Sequence, residues 1–254
     1  MIAFADNYKT GKLFDLPILS AENILDTDFD YIMIASVHAI AIKKQLLELG
    51  IDESRIQSMG GGSAEAFAVA RVNFCEKFAL EVYRKGLDGS VAEAGVYQGD
   101  FSAEINRNFY DRKLYLFDTF SGFDGRDIEE EAGYSENADR GDYLKNTSVN
   151  FVMSKMKYPE NIEIKRGYVP ETFAGIDDSF IFVNLDMDLY KPTLEALKWF
   201  WPRINKGGVC LIHDYFDDTD TFPNLKKAVS EFIDENDISS MPVGDNLSIA
   251  LIKR

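Results

Sequence analysis

Residues 91–118 read VAEAGVYQGDFSAEINRNFYDRKLYLFD. The stretch opens on VAEAG, apolar but for Glu93, and turns through Gly95 and Gly99. It continues with the helical spacing of DFSAEINRNF and returns to the apolar run KLYLFD. Strand, turn, helix and strand in that order make a βαβ unit, whose two strands lie parallel because the helix carries the chain back to the same edge. The alternation continues downstream: strands NIEIKRG (161–167) and SFIFVNLD (179–186), helix TLEALKWFWPRI (193–204), strand GVCLIHDY (208–215). This pattern predicts an α/β, Rossmann-like domain with a mostly parallel sheet, helices on both faces, and a ligand crevice at the carboxyl ends of the strands.

Upstream, residues 1–58 also alternate: IAFAD, a polar turn NYKTGK, LPILS, the apolar run DYIMIASV, the amphipathic HAIAIKKQLLELG, and IDESRI. They read as a small, truncated Rossmann-like α/β module. It lacks the opening strand and glycine-rich phosphate-cradling turn, so it is expected to bind no nucleotide and to serve assembly or stability, and the reading leaves room for an upstream segment. MGGGSA at 59–64 combines glycines with a serine N-cap for a helix over 64–85, which sets the expected boundary: 1–60 for the module and 61–254 for the main domain. The long, acidic, glycine-bearing stretch at 124–150 reads either as a lid over the site or as a surface insertion with short helices around 143–156.

The 254 residues carry 27 Lys and Arg against 43 Asp and Glu, a net charge of −16. A phosphate polymer or an anionic membrane would meet a repelling field, so neither is an expected partner. With 46% hydrophobic residues, 28% charged and 7 prolines, the chain is composed as a globular protein and not as a disordered one. Cys75 and Cys210 sit among apolar residues outside any metal-type spacing, as core thiols of a reducing compartment do. The amino terminus lacks a signal peptide and no window approaches 18 uncharged apolar residues, which predicts a cytoplasmic protein.

Three elements carry chemistry. In EAGVYQGDFS (93–102), two glycines remove the Cβ atoms that would hold a ligand off the backbone, and the next helix offers free N–H groups. The turn is neither GxGxxG nor a P-loop. With Glu93 before it, it suits an ammonium or sulfonium group better than a pyrophosphate, although such turns also occur merely as tight turns. Asp118 ends the second strand where doubly wound folds place an acid for the ribose hydroxyls; its alternative is a turn aspartate. Thr119 follows it. The candidate binding residues are therefore Glu93, Ala94, Gly95, Tyr97, Gly99, Ser102, Asp118 and Thr119. The third element joins FVNLDMDLYKPT (182–193) and KGGVCLIHDYF (206–216), two strands ending in Asp186 with Asp188 and in His213 with Asp214. Carboxylates with one imidazole suit Mg²⁺ or Mn²⁺ with open positions for substrate oxygens. An internal His213–Asp214 pair is the structural alternative.

EAGVYQGDFS, LFDTFSGF, GYVPETF, LDMDLYKPT and GGVCLIHDY occur in the order and spacing of the macrocin and mycinamicin O-methyltransferases, and from residue 91 onward the chain resembles that family. The resemblance implies a metal-dependent enzyme that methylates sugar hydroxyls with S-adenosylmethionine, with Asp186 and Asp214 as metal ligands and Asp188 as general base. His213 departs from the family's usual Asp; it is expected as a third ligand or as a base in its own right. The implied acceptor is a small sugar, nucleotide-activated or carrier-linked, for a surface glycan or a glycosylated metabolite, and the implied assembly a homo-oligomer. A catechol-type acceptor and a non-catalytic nucleotide-sensing module are the rival readings.

Overall fold

The computed structural model describes residues 2–6, 9–35, 39–58, 64–131, 144–217 and 223–254. The chain divides into two compact units, Met1–Val69 and Ala70–Arg254.

The first unit holds two small sheets. β1 (Phe4–Ala5), β2 (Gly11–Leu13) and β3 (Leu16–Leu19) form one in the order β1-β3-β2, with β1 parallel and β2 antiparallel to β3. The stretch expected as a polar turn therefore contributes a strand. β2 and β3 are joined by Phe14 and Asp15, both at positive φ (49° and 63°), which is how a two-residue hairpin matches strand twist even without the usual Asn-Gly. β4 (Ile32–Ile34), α1 (Ala39–Glu48) and β5 (Ile56–Ser58) make a parallel βαβ unit over the buried side chains of Ile24, Ile34, Leu46 and Ile51. A helix, α2 (Ala64–Lys85), follows.

The second unit is built on a seven-stranded sheet. In chain order its elements are β6 (Ser90–Ala94), α3 (Asp100–Asn108), β7 (Leu114–Asp118), α4 (Gly125–Glu131), α5 (Val149–Ser154), β8 (Ile162–Arg166), β9 (Phe180–Leu185), α6 (Tyr190–Phe200), β10 (Ile204–Ile212), α7 (Pro223–Asn236), β11 (Ser239–Pro242) and β12 (Ile249–Ile252). The strand order is β11-β12-β10-β9-β6-β7-β8. All neighbours are parallel except β12, which is antiparallel to both β10 and β11. β6 and β9 read SVAEA and FIFVNL and are buried throughout, as strands covered on both faces must be. One apolar layer contains Phe117, Phe173, Phe180, Phe200 and Trp199; the other contains Val82, Phe101, Phe109, Phe182 and Leu211. Cys75 and Cys210 are buried, one in each layer, and burial pushes both thiols up.

After β6 the chain winds toward β8, and with β9 it returns to the centre and winds the other way. The switch point lies between β6 and β9, where adjacent loops diverge and leave a crevice. Among the described residues no helix is long and apolar enough to cross a membrane.

Candidate active site

A cavity of about 350 Å³ opens at that switch point, within the size range of small-molecule sites. Glycine makes it possible. Gly95 follows β6 at φ +83°, and a Cβ there would lie 1.8 Å from the carbonyl oxygen of Asp186. The ends of β6 and β9 come this close only because position 95 has no side chain. Gly99 caps α3 in the left-handed conformation (φ 77°) and leaves the helix's first N–H groups without a side-chain cap.

Glu93, Gly95, Tyr97, Gly99, Asp118 and Thr119 line the cavity. Ala94 and Ser102, equally expected as binding residues, are fully buried. Ser102 lies beneath the turn, its hydroxyl donating to Glu93. Asn184 Nδ2 donates to the same carboxyl group at 2.9 Å. Burial pushes Glu93 up to about 8, and the charge of Asp186 adds to the rise.

Asp118 is engaged more fully than its position in the sequence indicates. One carboxylate oxygen accepts from the amides of Val96 (2.7 Å) and Tyr97 (3.0 Å), and the other from Phe120 N (2.6 Å). It thereby ties the β6–α3 turn to the end of β7.

The acids of β9 and β10 have a different environment. Asp186, His213 and Asp214 can each turn one ligand atom to within 4.8 Å of the others. Asp188 beside them is 9% exposed. Burial, with Asp186 and Asp214 as neighbours, raises its carboxyl well above the usual range. Asp214 is pushed up to about 6 by burial, against the lowering effect of His213. Crowded, largely buried carboxylates fit a divalent cation, which brings positive charge among them.

His213 is oriented from behind. Its Nδ1 lies 3.0 Å from Ser248 Oγ, which donates to Asp245 Oδ2 at 2.5 Å. With the hydroxyl proton committed to a carboxylate, the network assigns the Nδ1 proton to His213 as donor. Nε2 is left toward Asp214, 3.3 Å from Oδ1, and a ring fixed this way is how metal-ligating histidines are commonly held. The Asp245 and Ser248 pair was outside the sequence reading; its only signal was the short D-x-x-S segment before β12. Arg71 was missed as well. It sits on α2, far from any motif, with Nη1 3.0 Å from Asp186 Oδ2 and its guanidinium 4.3 Å over the ring of Phe101.

Tyr97, Phe120, Asp188 and Asp214, the residues just beyond β6, β7, β9 and β10, all have positive φ (49°, 54°, 64° and 56°). Four non-glycine residues in the left-handed region at one rim follow the tendency of strained backbone to gather at functional sites.

Of the expected lid, residues 132–143 lie outside the described residues. Its near flank is α4, held by Tyr168 Oη donating to Asp127 (2.8 Å) and Asn224 Nδ2 donating to Glu131 (2.7 Å). On the far flank Thr147 Oγ1 donates to the carbonyl of Tyr97, and Asn146 O accepts from Gln98 Nε2 at 3.0 Å. Both flanks reach residues at the cavity.

A family model described as Macrocin-O-methyltransferase (TylF) matches residues 32–247, and one described as C2185-like, N-terminal, matches residues 1–57. Among curated proteins, mycinamicin III 3''-O-methyltransferase of Micromonospora griseorubida is 26% identical over 183 residues, covering 66% of this chain and 70% of that protein. The 8-demethyl-8-(2,3-dimethoxy-alpha-L-rhamnosyl)-tetracenomycin-C 4'-O-methyltransferase of Streptomyces olivaceus is 28% identical over 146 residues, 53% of this chain and 56% of that protein. Among solved structures, the O-methyltransferase NovP superposes with a TM-score of 0.62 at 19% identity, over 79% of this chain and 86% of that one. The calicheamicin methyltransferase CalS11 does so at 0.57 and 19%, over 72% and 79%. These superpositions establish a Rossmann-like methyltransferase fold.

Proposed function

The chain belongs to the macrocin-O-methyltransferase (TylF) family and is an S-adenosylmethionine-dependent O-methyltransferase, and on that premise we propose that it methylates a sugar hydroxyl with the help of a divalent cation, Mg²⁺ or Mn²⁺. The acceptor is a small sugar, nucleotide-activated or carrier-linked. The observation that carries the reading is the meeting of Asp186, His213 and Asp214 beside buried Asp188 at the cavity whose other wall is the turn at 95–99 and Asp118.

Asp186, Asp214 and Nε2 of His213 would hold the cation; when bound, it supplies positive charge that lowers the pKa of an acceptor hydroxyl and orients it. Asp188 then receives the hydroxyl proton. Its burial among carboxylates raises its proton affinity toward the range useful for a general base. The methyl donor supplies a sulfonium carbon that oxygen attacks in line, so holding the two atoms about 3 to 3.5 Å apart contributes much of the acceleration. On the donor side the absent Cβ atoms of Gly95 and Gly99 make room for the Asp186 carbonyl and the Val152 side chain and not, as the sequence suggests, for a ligand; the nucleoside meets the turn through its backbone groups, and Asp118 meets the ribose with the one lone pair that Val96, Tyr97 and Phe120 leave free. His213, with Nδ1 committed to Ser248, serves as ligand rather than base in this scheme.

Residues 124–150 close over the acceptor and exclude water; limited proteolysis there should slow when donor analogue and acceptor are bound, and equal cleavage with and without them would refute closure. Residues 1–60 serve assembly or stability, which deletion tests through oligomeric state and solubility. The central experiment incubates the protein with S-adenosylmethionine, Mg²⁺ or Mn²⁺, and panels of nucleotide sugars and catechols. A mass gain of one methyl group on a sugar, lost on chelation, is the expected result. Methylation confined to catechols, or full activity after exhaustive chelation, would overturn the reading.

A further inference from the structure

The cavity wall is acidic, carrying Glu93, Asp118, Asp186, Asp188 and Asp214, and among the described residues lining it the only Lys or Arg is Arg71. That guanidinium is held on two sides. Nη1 is 3.0 Å from Asp186 Oδ2, and Cζ lies 4.3 Å from the centroid of the Phe101 ring, at the first turn of α3 beside the turn at 95–99. The side chain is only 16% exposed. A guanidinium carries five N–H donors in a rigid fork suited to a carboxylate, and the bond to Asp186 uses one.

Two ligands of the proposed reaction each draw on one partner of this ion pair. The methyl donor brings a carboxylate into a cavity of carboxylates, and Arg71 is the lining cation able to receive it. The divalent cation needs Asp186, which Arg71 holds, and a guanidinium against a ligand carboxylate opposes a second positive charge beside it. We propose that Arg71 is a positioning residue that takes the carboxylate of the methyl donor and, in turning from Asp186, opens that side chain to the cation, so that donor and cation bind cooperatively. The inference rests on the cation-assisted reading above. Linkage makes the effect reciprocal: whatever factor the donor adds to cation affinity, the cation adds to donor affinity.

The test is calorimetric titration of the full chain with Mn²⁺, alone, with S-adenosylhomocysteine, and with 5′-methylthioadenosine, which keeps the nucleoside and thioether but has no carboxylate. S-adenosylhomocysteine should tighten Mn²⁺ binding at least about fivefold and methylthioadenosine less than about twofold, the former being the lower end of usual coupling. Arg71→Met, which retains the apolar stem, should bind Mn²⁺ alone more tightly than the parent and lose the coupling. Equal tightening by the two nucleosides, or coupling that survives in Arg71→Met, overturns the inference while leaving the cation reading intact. Absence of Mn²⁺ binding under every condition overturns both. If Arg71→Met does not fold, the two-nucleoside comparison on the unaltered protein decides the matter.

Discussion

The two halves of the crevice place Asp118 on one side and Asp186, Asp188 and Asp214 on the other at equivalent positions, the carboxyl ends of parallel strands, in different surroundings. On the β6–β7 side Asp118 accepts three backbone N–H bonds, and Glu93 lies beneath the turn with Ser102 and Asn184 as partners. On the β9–β10 side Asp186, Asp188 and Asp214 crowd one another, and burial pushes Asp188 and Asp214 toward their protonated forms. Which acids hold the backbone is decided by where the amides point. Residue type does not distinguish them.

The largest effect expected from breaking this contrast is Asp188→Asn. Loss of the proposed base should lower kcat by about 10²- to 10⁴-fold, with Mn²⁺ affinity, read by calorimetry, largely retained. Replacing a buried acid crowded by other carboxyl groups with a neutral amide should also leave the cation-free protein no less heat-stable than its parent. A fall in Tm alongside unchanged kcat would assign Asp188 to structure. Next is Gly95→Ala, where a Cβ would meet Asp186 O at 1.8 Å in a left-handed backbone. Denaturant unfolding should show a loss of at least about 2 kcal/mol, as strained positions do, and the two halves should separate enough to impair both donor and cation binding.

Asp118→Asn probes the other side and should have the opposite sign to Asp188→Asn in stability. Turning a carboxylate that accepts three amides into a group with one acceptor oxygen should cost about 1–2 kcal/mol of folding stability, and Asp118→Ala should weaken S-adenosylhomocysteine binding by roughly 1.5 kcal/mol. Unchanged melting in Asp118→Asn would erase the distinction between the halves.

The smallest effect is the pH dependence of Glu93. Its folded pKa of about 8 lies above its unfolded value near 4.5, so the folded state holds the extra proton between them. The associated stability is complete below the unfolded value and is lost as pH rises through about 8. Between pH 7 and 8 this group alone should remove about 1 kcal/mol, or roughly 2–4 °C in Tm. In Glu93→Gln that slope should flatten, and an identical slope in variant and parent would place the titrating proton elsewhere.

The parallel core was readable because VAEAG, KLYLFD, SFIFVNLD and GVCLIHDY are apolar runs ending in punctuating acids or glycine, a pattern set by burial on both faces. Their order across the sheet is a matter of long-range pairing, for which no single segment carries a signal. The same limit explains the site. Asp186, His213 and Asp214 lie at strand ends and could be picked from the motifs, whereas Arg71 reaches Asp186 across 115 positions of sequence from a helix whose pattern reports only packing. Ser102, expected as a binding residue, is instead a buried partner of Glu93, a role that depends on which face of α3 turns inward. At the amino terminus, the positive φ of Phe14 and Asp15 builds a hairpin that Phe14 does not advertise.

The left-handed backbone at Asp188 (φ 64°) and Asp214 (φ 56°) narrows what can replace them. Few side chains other than Gly tolerate that conformation; Asp and Asn are among those that do, since a short polar group can bond locally. Aspartate therefore satisfies a backbone demand and a chemical one at the same position. Glutamate, the usual conservative exchange, meets neither: its longer stem carries the carboxylate past the cluster, and it lacks the tolerance for positive φ. At these two positions Asp→Glu is thus a radical change. The routes open to drift at the rim run instead through Asn, which keeps the fold and silences the chemistry, so inactive descendants of this enzyme are expected to retain its shape.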